Sequence, residues 1–133
     1  MILLDTHVLI WLDSADSRLG VEARAAIDEA HQAGELGVSA ISFWETAMLI
    51  EKGRLELAIP VHAWRQDLLS AGVREIVVDG GIGIAAASLE EFHGDPADRL
   101  ITSTALLRGD RLLTADQKIL DWPGSVQRQD ARQ

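Results

Sequence analysis

The sequence predicts an α/β fold built on a mostly parallel sheet, and three observations carry that expectation. The chain has 133 residues, the size of one domain. Short apolar runs rich in branched residues recur along it, each followed by a segment with helical spacing. Gly34, Gly53, Gly72 and Gly109 stand where those helical segments should end. Strands that alternate with helices build βαβ units, and those units pack as a parallel sheet with helices across its faces.

Taken in order, the expected strands are Ile2 to Leu4, Leu36 to Val38, Glu75 to Val78 and Arg111 to Leu113, with a weak last strand at Val126 to Gln129. Thr6 to Leu12 reads as the first helix. Ala23, Ala26, Ile27 and Ala30 follow the i, i+3, i+4, i+7 template, as do Val61, Trp64, the stem of Arg65 and Leu68. Ala40 to Ile50 is apolar on nearly every side and reads as a buried or interface helix. Gly80-Gly81-Ile82-Gly83 lacks the ending of a phosphate loop and reads as a turn into a helix over Ile84 to Leu89. Asp95-Pro96-Ala97-Asp98 supplies a cap, a proline at the first helical position and an acid in the first turn, opening a helix to about Arg108. One domain covers residues 1–133, and the polar tail from about residue 124 is its only loose-looking segment.

Composition narrows the function classes. Hydrophobic residues make up 47% and charged residues 25%, which excludes a disordered or low-complexity chain. The absence of cysteine removes disulfides, iron–sulfur clusters and thiolate zinc sites, and it suits a reducing compartment. No charge-free stretch is longer than Gly80 to Leu89, too short to cross a bilayer. Met1 to Leu4 has no basic region before it and ends at Asp5, so no secretory signal is expected and the expected location is the cytoplasm. A net charge of −9 argues against a broad positive face for nucleic acid, while leaving room for an acidic cluster that holds cations.

Four acids occupy equivalent places at the ends of strands or the starts of helices: Asp5, Glu45, Asp98 and Asp116. In open α/β sheets, ligands bind beyond the carboxyl ends of the strands. Each acid alone has an ordinary explanation, because helix N-termini favour carboxylates, and Ser42-x-x-Glu45 and Asp95-x-x-Asp98 have capping-box spacing. Together they do not. Each close pair of like charges costs ~4 kcal/mol at an effective dielectric of 20, so a shared crevice demands a cation or a buried proton. Oxygen ligands without cysteine or paired histidines suit Mg2+ or Mn2+, and two such ions are a standard apparatus for phosphodiester hydrolysis.

At these residues the sequence resembles the PIN-domain family and, within it, the VapC-type toxins of toxin–antitoxin pairs. The matching stretches are Leu3 to Trp11, Val38 to Glu45, Phe92 to Ile101 and Leu112 to Asp116, in the family's order. The resemblance implies a Rossmann-like sheet of four to five strands in the order 3-2-1-4-5, flanked by helices. It implies a Mg2+-dependent endoribonuclease, Mn2+ being an alternative ion, with RNA as substrate, a cognate antitoxin as inhibitor and a homodimer as the assembly. Carried over by position, the catalytic and metal-binding acids are Asp5, Glu45, Asp98 and Asp116. Thr102-Ser103-Thr104 departs from the family, which often has alanine there.

Around these acids, Thr6 and Thr114 either orient carboxylates or cap helices, and Arg99 meets a phosphate or, in preference, a neighbouring carboxylate. Asp95 reads as a cap. His7 and His93 read as packing or loop hydrogen bonds, and the tryptophans as core or interface. Two other functions compete. A receiver-type phosphoacceptor domain would use Asp79 after the third strand, but it wants paired acids after the first strand, where Asp5 stands alone. A catalytically inactive PIN-like scaffold would act through protein contacts only, and four intact acids speak against it.

Overall fold

Five parallel strands form one sheet in the order β3-β2-β1-β4-β5 in the computed structural model, which describes residues 1–133. They are β1 (Ile2–Leu4), β2 (Leu36–Ser39), β3 (Arg74–Ile76), β4 (Arg111–Thr114) and β5 (Arg128–Asp130). Seven helices connect them: α1 (Thr6–Asp13), α2 (Val21–Gln32), α3 (Ile41–Glu51), α4 (Val61–Ser70), α5 (Gly80–Ala87), α6 (Pro96–Arg108) and α7 (Gln117–Leu120). No helix is long and apolar enough to cross a membrane.

The two-residue period of the strands divides the core between the faces of the sheet. Ile2, Leu4 and Leu113 join Leu36, Val38 and the Ala23, Ile27 and Ala30 stripe of α2 in one cluster. Leu3 and Leu112 turn to the other face, where they meet Ile101 and Ala105 of α6 with Phe92, Ile119 and Trp122. Burial on both faces explains why the central strands read as unbroken apolar runs. It also fixes their register, with Ile2, Leu3 and Leu4 opposite Leu36, Gly37 and Val38 on one side and Arg111, Leu112 and Leu113 on the other.

Several elements differ from expectation, each for a tertiary reason. The third strand ends at Ile76, because β3 is an edge strand paired only with β2, and Val77 is left largely exposed. Helix α5 begins at Gly80, not Ile84: the Asp79 carboxylate accepts the Ile82 N–H at 2.9 Å, and Ile82 and Ala86 are buried while α5 packs along α6, which outweighs the low helix propensity of glycine. The last strand forms two residues later than Val126, as β5. It is held by Leu112 N–H on the Gln127 carbonyl and Ala131 N–H on the Thr114 carbonyl, each 2.8 Å. The segment after Pro123 is therefore tied down, and a Cβ on Gly20 would overlap the main chain of Gln133. Helix α3 buries Ser42, Phe43 and Thr46 but leaves Trp44 54% exposed, so only one of its sides belongs to the core. Gly34, Gly53, Gly72 and Gly109 all have positive φ after helix ends, the conformation their positions predict.

The receiver alternative fails on this topology. That fold places its third strand beside the first, whereas β3 here lies at the sheet edge and the Asp79 carboxylate is used as the α5 cap.

Thr102, Ser103 and Thr104 of α6 are all fully buried. Thr104 donates to the Leu100 carbonyl at 2.7 Å, but the hydroxyls of Thr102 and Ser103 have no partner. A buried hydroxyl without a hydrogen bond costs ~1–3 kcal/mol, and an apolar residue of the same shape removes that cost. Thr102→Val and Ser103→Ala should each stabilise the fold by ~1 kcal/mol or more, read as a rise of several degrees in Tm by calorimetry. A lower Tm for both would show that these hydroxyls are satisfied in solution.

Candidate active site

Beyond the carboxyl ends of β1 and β4, Asp5 and Asp116 face each other across one hydroxyl. Asp5 directly follows β1 and is buried; its Oδ1 accepts the Thr6 N–H at 2.8 Å and its Oδ2 accepts the Thr114 hydroxyl at 2.7 Å. The same Thr114 Oγ1 accepts the Asp116 N–H at 3.0 Å. Asp116 then caps α7, its Oδ1 accepting the Lys118 N–H at 2.9 Å.

Glu45 and Asp98 close the site from α3 and α6. Helix α3 starts at Ile41, whose N–H is held by the Ser39 hydroxyl at 3.2 Å, so Ser42 is not a cap and Glu45 is not part of a capping box. Glu45 Oε1 instead accepts the Thr6 hydroxyl, which stands 2.9 Å from that of Ser42. In α6 the cap is Asp95, as its place before Pro96 predicts: its Oδ1 accepts the Asp98 N–H at 3.0 Å. This leaves the Asp98 side chain free of the helix end, and its Oδ2 meets His93 Nε2 at 2.6 Å.

Glu45, Asp98 and Asp116 come together, while Asp5 stands beside them, near enough for its charge to act on Asp98 and Glu45 but outside both close groups. Carboxylate oxygens of Glu45, Asp95 and Asp98 lie within 4.8 Å of one another, and so do ligand atoms of His93, Asp98 and Asp116, with Asp98 common to both groups. Burial pushes the Asp98 carboxyl up to about 7, and the nearby charges of Asp5, Asp95 and Asp116 push in the same direction against the His93 hydrogen bond. Burial also raises Glu45, with Asp5 and Asp95 adding to the rise and the Thr6 hydroxyl opposing it. No lysine or arginine pairs with any of the five acids; their basic neighbours are His93 on Asp98 and His7, whose Nδ1 is 3.7 Å from Asp5 Oδ2. His7 Nε2 accepts the Ala115 N–H at 2.9 Å, which places its ring proton on Nδ1, toward Asp5.

Thr6 and Thr114 hold carboxylates, one of the two roles open to them. Arg99 does something else. Its guanidinium donates to the main-chain carbonyls of Ala86, Phe92 and His93 at 2.8–2.9 Å and to that of Leu89 at 3.4 Å, and it pairs with no carboxylate. Adjacent residues on a helix point about 100° apart, so Arg99 cannot share the side of α6 that Asp98 uses. The sequence reading preferred a cap for Asp95 over a ligand and a loop hydrogen bond for His93; Asp95 is the cap, and both residues also stand in the cluster.

The donor set fits a divalent cation. Hard carboxylate oxygens, several in number and uncompensated by fixed cations, suit Mg2+ or Mn2+, and Glu45, Asp95, Asp98 and Asp116 lie close enough to supply them.

A doubly wound 3-2-1-4-5 sheet that gathers acids from four distant stretches onto its carboxyl edge defines the PIN-domain architecture. The PIN-domain profile matches residues 2–123, and the chain belongs to the PIN-domain family. It is 43% identical over 119 residues to Ribonuclease VapC22 of Mycobacterium tuberculosis H37Rv, covering 89% of this chain and 88% of that protein. Two solved structures share the fold at low identity. One is a toxin–antitoxin complex from Klebsiella pneumoniae, with TM-score 0.61 and 21% identity over 95% of this chain and 96% of that one. The other is VapBC2 from Rickettsia felis bound to a DNA fragment from its promoter, with TM-score 0.65 and 14% identity over 97% and 98%.

Two measurements check this geometry. The folded protein holds a proton on Asp98 that the unfolded chain releases near pH 4, so the stabilising contribution is present at low pH and is lost as pH rises through about 7. In chelator, Tm should therefore fall between pH 5 and 8, and Asp98→Asn should flatten that slope and melt above wild type at pH 8. A divalent ion should raise the wild-type Tm at pH 8 more than that of the variant. Separately, Arg99→Ala should cost ~2–3 kcal/mol in denaturant unfolding, since it removes charged donors from several carbonyls at once, and Arg99→Lys should recover only part of it.

Proposed function

We propose that this protein is a divalent-metal-dependent endoribonuclease, a single PIN unit acting in the cytoplasm as the toxin of a toxin–antitoxin pair. The observation that carries the reading is the gathering of Glu45, Asp98 and Asp116 beside Asp5 with no lysine or arginine among them. The similarity to Ribonuclease VapC22 supports the ribonuclease activity, and the toxin–antitoxin complexes among the solved relatives support an antitoxin partner. RNA is the substrate, Mg2+ the ion with Mn2+ as a substitute, and a homodimer the assembly. Exposed Trp44, Ile84 and Leu107 offer apolar area for a second copy or for the antitoxin.

Asp5, Glu45, Asp98 and Asp116 are the residues that would hold the metal. When bound, divalent ions make water a nucleophile near neutral pH and stabilise charge on the attacking and leaving oxygens of the phosphodiester. The protein's own contribution is orientation. Thr114 fixes the Asp5 carboxylate and, through the Asp116 N–H, the start of α7; Thr6 holds Glu45; His93 holds Asp98. Carboxylates restrained by hydroxyls keep their negative charge available to a cation, which an arginine partner would neutralise.

The test is cleavage of mixed single-stranded RNA by purified protein. Mg2+ or Mn2+ should support cleavage, chelator should abolish it, and Asp5→Asn or Asp98→Asn should lower the rate at least ~100-fold, the effect of losing a few kcal/mol of transition-state stabilisation. Undiminished cleavage by both folded variants would overturn the assignment. Co-expression with the product of a neighbouring small reading frame should yield an inactive complex if the chain is a toxin.

A further inference from the structure

We propose that His93 is a nitrogen ligand of the divalent ion at the acidic site, adding affinity for Mn2+ and later transition ions beyond what it adds for Mg2+. The inference rests on the reading of that cluster as a metal site and adds a ligand to the four acids. His93 Nε2 is 2.6 Å from Asp98 Oδ2, and ligand atoms of His93, Asp98 and Asp116 all lie within 4.8 Å of one another. Neighbouring ligands of an octahedral ion with bonds of ~2.1 Å stand about 3 Å apart, so a small opening of the His93–Asp98 hydrogen bond gives the spacing of co-ligands.

The ring is held in that orientation from several directions. It stacks on Phe92 with centroids 4.5 Å apart and planes at 19°, and buried Phe92 packs edge-on against Trp122 at 5.3 Å. The main chain beneath is fixed by Arg99, which donates to the carbonyls of Phe92 and His93 at 2.8 and 2.9 Å. Without an ion, a proton lies between Nε2 and Asp98; Nδ1 makes no hydrogen bond within the protein, so the ring proton can move there when a cation enters, leaving the Nε2 lone pair for the ion. His7 offers no equivalent, because its Nε2 is taken by the Ala115 N–H.

A nitrogen donor changes selectivity. Imidazole adds little for Mg2+, which prefers oxygen, and binds more strongly along the series from Mn2+ to Co2+. The experiment uses metal-free full-length protein without RNA, loaded with Mn2+ and examined by pulsed electron paramagnetic resonance. Wild type should show a nitrogen coupling that changes when histidine is labelled with 15N, is absent in His93→Gln and persists in His7→Gln. Calorimetric titration should show His93→Gln weakening Mn2+ binding at least ~10-fold and Mg2+ binding much less.

Bound Mn2+ with no histidine coupling in wild type overturns the inference, and so does a coupling that survives in His93→Gln. Equal losses for both ions would make His93 a positioning residue for Asp98 only, and no binding of Mn2+ at all would also reject it. RNA cleavage is scored independently. Coupling without cleavage rejects the ribonuclease reading and keeps the ligand, whereas cleavage without coupling does the reverse.

Discussion

Like charges crowded beyond the carboxyl ends of β1 and β4 are the constraint around which the rest of this molecule is arranged. Each close pair of carboxylates works against folding by ~4 kcal/mol at an effective dielectric of 20. The fold answers with hydroxyls, backbone N–H groups and imidazole, and it places no lysine or arginine among them. Asp98 shows the strain most plainly, its proton retained to about pH 7. With β2 and β4 on either side of β1, the chain segments that follow these three strands meet at one edge of the sheet, which is how residues 5, 45 and 116 come near one another, with Asp98 added from α6.

Most of the architecture was legible in the sequence because its signals are local. The Asp95-Pro96 start of α6 and the glycines after helix ends depend on neighbours within one turn, and the apolar strands depend on burial from both sides. The end of β3, the start of α5 and the position of β5 were not legible, since each is decided by a partner far along the chain. The Arg128-Gln129-Asp130 segment carries no apolar signal, and its pairing comes from main-chain bonds to β4.

The candidate site divides in the same way. Four acids could be named because each stands at a strand end or a helix start, in stretches that also match a family, and Glu45, Asp98 and Asp116 do meet. Asp95 and His93 were given local roles because a cap and a loop each account for them without reference to the cluster. Arg99 misled for the opposite reason: its place beside Asp98 suggested partnership, while helix geometry sends the two side chains to different neighbours. It holds the loop that carries His93 and so reaches the site only through the main chain.

The Thr114 hydroxyl joins two strand ends, giving its proton to Asp5 and receiving that of the Asp116 amide. A frame braced in this way has its spacing set before any ion arrives and keeps it after one departs. On the proposed reading, loading and release of a cation would then ask little of the polypeptide.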